Sequence, residues 1–223
     1  EIGMKLTVIP LTSRKKDGKF SFFDELKKIF HENEMKIENG DVIVISSKFI
    51  SISQGRVLKI NSSKVSNRAR QISKKFNSNE KFMEIVFRES DEILGGVSGF
   101  VMSSTDGILA PNAGIDKSNS KGTEIILYPI EPYRFAEELK RKIFLEFNLR
   151  VGIIIVDSRL MPARVGTTGV TIACAGMEPT KDLRGEKDLD GNPLKVTFQA
   201  TADNLASIAN HKMGEGNDLH PIA

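Results

Sequence analysis

Asp157 and Ser158 directly follow the apolar run 151–156, which puts a carboxylate and a hydroxyl where a buried strand opens into a loop. Such strand ends are where a rigid scaffold presents chemical groups. The pair reads equally well as a capping or turn dipeptide. Asp116 sits in a second polar stretch, Asn112-Ala113-Gly114-Ile115-Asp116-Lys117-Ser118-Asn119, which taken alone is a turn. Glu215 lies in Met213-Gly214-Glu215-Gly216, just after a helical pattern. Gly214 is either the stop of that helix or a place where backbone approaches a phosphate closely. Asp116, Asp157, Ser158 and Glu215 are hard oxygen donors, suited to Mg²⁺ or Mn²⁺ rather than softer metals.

Other chemistries are excluded or demoted. The chain has no G-x-x-x-x-G-K-[ST], no G-x-G-x-x-G and no G-x-S-x-G, so a P-loop, a dinucleotide fingerprint and a nucleophile elbow are absent. His31, His211 and His220 lack metal-ligand spacing, which argues against histidine-based zinc chemistry. Cys174 is the single cysteine, in an apolar stretch, so no intrachain disulfide forms and a reducing, cytoplasmic setting is expected. Lys plus Arg number 32 against 29 Asp plus Glu. That balance does not by itself imply nucleic-acid binding, which usually shows a concentrated basic face. The cluster Arg14-Lys15-Lys16 reads as a solvated loop. The longest apolar runs, 42–45 and 151–156, fall far short of the ~18 residues of a membrane span, and no signal peptide is visible.

The elements that must position these residues follow from periodicity. Residues 4–9 alternate and end at Pro10, predicting a first strand. Phe22, Leu26, Ile29 and Phe30 share one helical face, with Ser21 as cap. Residues 42–45 form a short buried strand, and 46–58 read as an extended connection bent at Gly55. Ala69, Ile72 and Phe76, capped by Ser66, predict a second helix, and Phe82, Ile85 and Val86 a third. Gly95-Gly96 break the pattern. Asp106-Gly107 joins a hairpin. Residues 125–128 are a strand, Pro132 opens a helix carrying Phe135, Leu139, Ile143 and Phe147, and 151–156 is the strongest strand. Strands at 170–173 and 194–199 precede a helix over about 202–212. Strands and helices mix without strict alternation, so the class is α+β, with mixed sheets and packed helices. At 223 residues, one domain spanning 1–223 or two interleaved lobes are both open.

The ordered set Gly40-Asp41-Val42 to Gly55-Arg56, Arg88-Glu89-Ser90, 112–119, Val156-Asp157-Ser158, Gly176, 182–191, Ala202-Asp203 and Met213-Gly214-Glu215 resembles coenzyme F420-0:L-glutamate ligase, the gamma-glutamyl ligase family of deazaflavin coenzyme synthesis. The resemblance runs from about residue 5 to 219. It implies the family's α+β fold as an intertwined homodimer, and a GTP-dependent amide ligase that joins L-glutamate in gamma linkage to the deazaflavin precursor F420-0 through an acyl phosphate. It further implies two divalent ions, Mg²⁺ or Mn²⁺, with K⁺ as an additional candidate. Asp116 and Asp157 would be catalytic and hold one ion; Ser158 and Glu215 would serve the other. Ile9, Pro10, Leu11, Thr12, Ser47, Lys48, Asn119, Met213, Gly214 and Gly216 would bind the nucleotide, in a site lined from Met213 to His220. Neither nucleic acid nor membrane is an implied partner.

The sequence departs from the family pattern in three places. Ile52 stands where the family has a phosphate-facing Lys. Arg159-Leu160-Met161-Pro162-Ala163-Arg164 replaces the usual loop after the Asp-Ser pair, a loop that shapes the acceptor site. The chain ends at Ile222-Ala223, before a further apolar strand that family members carry. The alternatives are a paralogous ligase with another carboxylate acceptor, and a non-catalytic protein that binds nucleotide or deazaflavin.

Overall fold

The computed structural model describes residues 5–60, 64–117, 124–160 and 163–223. Helix α1 (Phe22–Glu32) buries Phe22, Leu26, Ile29 and Phe30, the face its spacing predicts. Ser21 stands at its N-cap, but its hydroxyl donates to Asp24 Oδ2 at 2.6 Å instead of accepting from the helix backbone. Strand β1 (Val42–Ser46) follows.

The segment expected to be an extended connection is mostly ordered differently. It forms helix α2 (Ser47–Ser53) and strand β2 (Val57–Lys59). Phe49 and Ile50 of α2 enter the core, and this burial outweighs the weak helix propensity of a Ser- and Ile-rich segment. Helix α3 (Asn67–Lys75) is capped by Ser66, which accepts from Ala69 N at 3.2 Å, and α4 (Glu80–Glu89) by Asn79.

Strands β3 (Glu92–Val97), β4 (Phe100–Thr105) and β5 (Ile108–Pro111) form an antiparallel sheet, joined at β4–β5 by the expected Asp106-Gly107 turn. Gly95 and Gly96 lie inside β3, where the register shifts at an irregularity, so they bend a strand rather than end one. Strand β6 (Glu124–Ile126) pairs with β2. Helix α5 (Pro132–Phe147) opens on its proline.

The central sheet has the order β1-β7-β8, with β7 (Gly152–Leu160) parallel to β1 and antiparallel to β8 (Thr167–Ala175). Alternate residues of β1 and β7 serve two cores. Ile43, Ile45, Ile153 and Ile155 pack with α1 and α5, while Val44, Ile154 and Val156 pack with helix α6 (Thr201–Met213). Burial on both faces explains the unbroken apolar run in β7. Each such side chain contributes about 1.5–3 kcal/mol. A third cluster joins α4 to Val101, Ala113, Ile115, Ile125 and Leu127.

Two strand expectations are corrected. Residues 5–9 form no strand. Leu11 makes a single bridge to Ile222, while the 221–223 segment bonds along β1. Of residues 194–199 only β10 (Phe198–Gln199) pairs, with β9 (Lys181–Asp182), because Val196 and its neighbours face solvent and have no core to fix a longer ladder. Among the described residues no helix is long and apolar enough to cross a membrane.

Candidate active site

Asp157 and Ser158 lie within β7, not beyond it. The parallel pairing of β7 with β1 stops at Ser46↔Val156, whereas the antiparallel pairing with β8 continues to Leu160↔Thr167. β7 therefore outruns β1, and its side chains emerge at the carboxyl end of the parallel pair, where sheets of this kind open a binding crevice. At the same level β1 turns directly into α2. Ser47, the first residue of α2, donates from Oγ to Asp157 Oδ1 at 2.8 Å. Burial pushes the Asp157 carboxyl above its usual range, and the nearby Asp116 charge adds to this; Ser47 and Arg159 oppose it.

Asp116 comes from the opposite wall. Its backbone exchanges two 2.9 Å hydrogen bonds with Ile126. The preceding turn is fixed from inside, where Asn112 Oδ1 accepts from Val101 N at 3.1 Å and Ala113 N donates to Ser103 Oγ at 2.8 Å. Lys48 Nζ lies 2.5 Å from Asp116 Oδ2, closing the gap between the walls.

Glu215 follows α6. Its Oε1 accepts from Ser158 Oγ at 2.7 Å, Asn210 Nδ2 at 2.7 Å and Thr167 Oγ1 at 3.2 Å. Three donors on one oxygen fix the carboxylate and leave Oε2 as its other acceptor. The approach of α6 that brings Asn210 there depends on Gly169 of β8. A Cβ at that position would stand 2.5 Å from Asn210 Cβ and 2.7 Å from Ala206 O. Gly214, at φ +82, makes the turn after α6 under Asp218.

These groups border one cleft of about 1040 Å³. Asp116, Asp157, Ser158, Glu215, Ser47, Lys48, Met213, Gly214 and Gly216 all line it. From the N-terminal segment the lining begins at Ser13. Leu11 is packed in the core, and Thr12 exchanges backbone hydrogen bonds with the Asn33 side chain, so Ile9, Pro10, Leu11 and Thr12 are not brought to the cleft wall. Asn119 lies outside the described residues. The Arg14-Lys15-Lys16 loop, expected to be merely solvated, borders the cleft, as does Ile52. Asn210 and Thr167 are contributors that sequence reasoning did not single out. Neither carries a motif, and only the packing of α6 on β8 brings them to Glu215.

Among the described residues, no three His, Cys, Asp or Glu side chains form a group able to hold a metal ion alone. The donor chemistry nonetheless fits Mg²⁺ or Mn²⁺ bound with a nucleotide, since such ions take one or two carboxylates and complete their shell with phosphate oxygens and water. Asp116 with Asp157, and Glu215 with Ser158, are the residues that would hold them.

A mixed α+β chain with an oxygen-donor cleft at the end of a parallel strand pair is the class that fold and site define. The model of the family "F420-0:Gamma-glutamyl ligase" matches residues 15–223, and the chain belongs to that family. Similar curated proteins include the coenzyme F420:L-glutamate ligases of Archaeoglobus fulgidus, 35% identical over 89% of this chain and 79% of the relative. That of Methanopyrus kandleri is 30% identical over 98% and 84%. That of Methanocaldococcus jannaschii is 37% identical over 83% and 75%.

Proposed function

We propose that this protein is a coenzyme F420-0:L-glutamate ligase that uses GTP and divalent metal. The observation that carries the reading is the meeting of Asp116, Asp157, Ser158 and Glu215 around one cleft in a chain of this family. The γ-phosphoryl group of GTP passes to a carboxylate oxygen of the precursor, giving an acyl phosphate and GDP. The amine of L-glutamate then attacks the acyl carbon, and phosphate leaves with the carbon–oxygen bond as the amide forms.

Bound divalent metal supplies charge neutralisation on the transferring phosphoryl group. The chain's own residues do the rest. Ser47 holds Asp157 in one rotamer, and Asn210 and Thr167 hold Glu215. Lys48, in reach of both Asp116 and the cleft, offers a cation to phosphate.

Incubating purified protein with GTP, Mn²⁺, L-glutamate and the deazaflavin precursor tests this reading. The expected result is one glutamylated product and one GDP per turnover, seen by mass spectrometry. Folded protein that yields neither would overturn it.

A further inference from the structure

Arg159 follows the Asp157-Ser158 pair on β7 and lines the cleft. Its side chain is only 10% exposed. Nη1 is anchored on the carbonyl of Leu109 in β5. Nε and Nη2 are buried and have no hydrogen-bond partner among the described residues. The nearest anion to Nε is Asp157 Oδ2, at 3.7 Å, beyond hydrogen-bond length.

Nε and Nη2 form one edge of the guanidinium plane, with two parallel N–H bonds. That edge matches the two oxygens of a carboxylate. Leaving two buried charged donors without hydrogen bonds is costly, and such groups call for a partner that satisfies them. Tyr128 Oη is a second buried group without a hydrogen-bond partner among the described residues. Burial pushes its phenol far above the usual range, so it is a neutral donor. Arg159 is thus a cleft-lining cation set apart from the others by two buried guanidinium donors without hydrogen bonds among the described residues.

We propose that Arg159 is a specificity-determining residue that receives a substrate carboxylate on its Nε/Nη2 edge, swinging about the Leu109 anchor to open that edge to the cleft. This rests on the ligase reading and adds the group that recognises the substrate. The carboxylate belongs either to the amino acid or to the acid being activated; both present the same planar anion.

The test compares wild type with Arg159→Lys, which keeps charge and loses the fork, and Arg159→Met, which loses both. Circular dichroism and melting curves check that each variant is folded. In steady-state ligation, the KM for one of the two carboxylate substrates is expected to rise about 10- to 100-fold in both variants, with the KM for GTP unchanged and kcat affected less. Which KM rises identifies the source. Saturable binding of ¹³C-labelled L-glutamate and of the deazaflavin precursor, followed by NMR without turnover, reads the same site even if ligation itself fails. It is expected in wild type for at least one acid and weakened in both variants. Full rescue by Arg159→Lys would show that Arg159 serves only as a charge beside Asp157 and overturn the proposal. Unchanged KM values, or no saturable binding of either acid to wild type, would overturn it as well.

Discussion

Asp157 carries three constraints at once. It accepts from Ser47, faces Arg159 across 3.7 Å, and is held in a wall where burial disfavours its charge. Asp157→Asn keeps the shape and the Ser47 contact but removes the anion. Turnover is expected to fall by about 100-fold or more, the scale for losing one preorganised electrostatic group, while circular dichroism stays unchanged. Wild-type rates would refute the role. Away from the cleft, Glu84 accepts from Ser66 N at 2.9 Å, Ser66 Oγ at 2.7 Å and Arg88 Nε at 3.0 Å. The Ser66 bonds, helped by Arg88, hold its carboxyl below the usual range. A depressed folded value means that the stabilisation is present above the unfolded value, near about pH 4.3, and is lost as pH falls through the folded one. Glu84→Gln is therefore expected to cost about 1–2 kcal/mol at neutral pH, with the gap from wild type narrowing in acid, below the unfolded value near about pH 4.3. Urea midpoints at neutral and acid pH check this.

At the scale of elements, the site depends on how α6 lies on β8. Gly169→Ala would drive a methyl group into Asn210 and the Ala206 carbonyl. The expected loss is about 1–3 kcal/mol, together with weaker Mn²⁺ binding, because Asn210 and Glu215 move with the helix. Melting and manganese titration measure both, and a loss of stability with manganese affinity unchanged would uncouple the helix from the site. This coupling was not legible in the sequence, where Gly169 is one small residue among Thr167, Thr168, Val170 and Thr171. The amphipathic helices were legible to different degrees: α1 states its buried face in its spacing, whereas α3 buries Ser73 and leaves Ile72 half-buried, and α4 also buries Met83 and Glu84. The extent of β7 was not, because the polar pair Asp157-Ser158 reads as an exit while its pairing with β8 carries it onward. Helix α2 was missed for a related reason. Its Ser and Ile content favours no helix locally, and only the burial of Phe49 and Ile50 decides it.

Over the whole molecule, four oxygen donors separated by up to a hundred residues of chain come to one cleft because β7 outruns β1 and carries Asp157 and Ser158, the Ile126 pairing holds Asp116 opposite, and α6 packed on β8 brings Glu215. Their residue types were readable from the sequence, and their convergence was not. The cleft should bind divalent metal in the folded state only. Manganese with GDP at a hundredfold excess over Kd adds about 2.7 kcal/mol, a rise in melting temperature of roughly 5–10 °C for a chain of this size. No rise would argue against a shared metal–nucleotide site. The most direct measurement of the central claim is a crystal structure grown with Mn²⁺ and GDP, read by manganese anomalous scattering. Manganese signal is expected at Asp116 with Asp157 and at Ser158 with Glu215, with GDP bound in the same cleft. Nucleotide bound elsewhere, or manganese absent from these four residues, would contradict it.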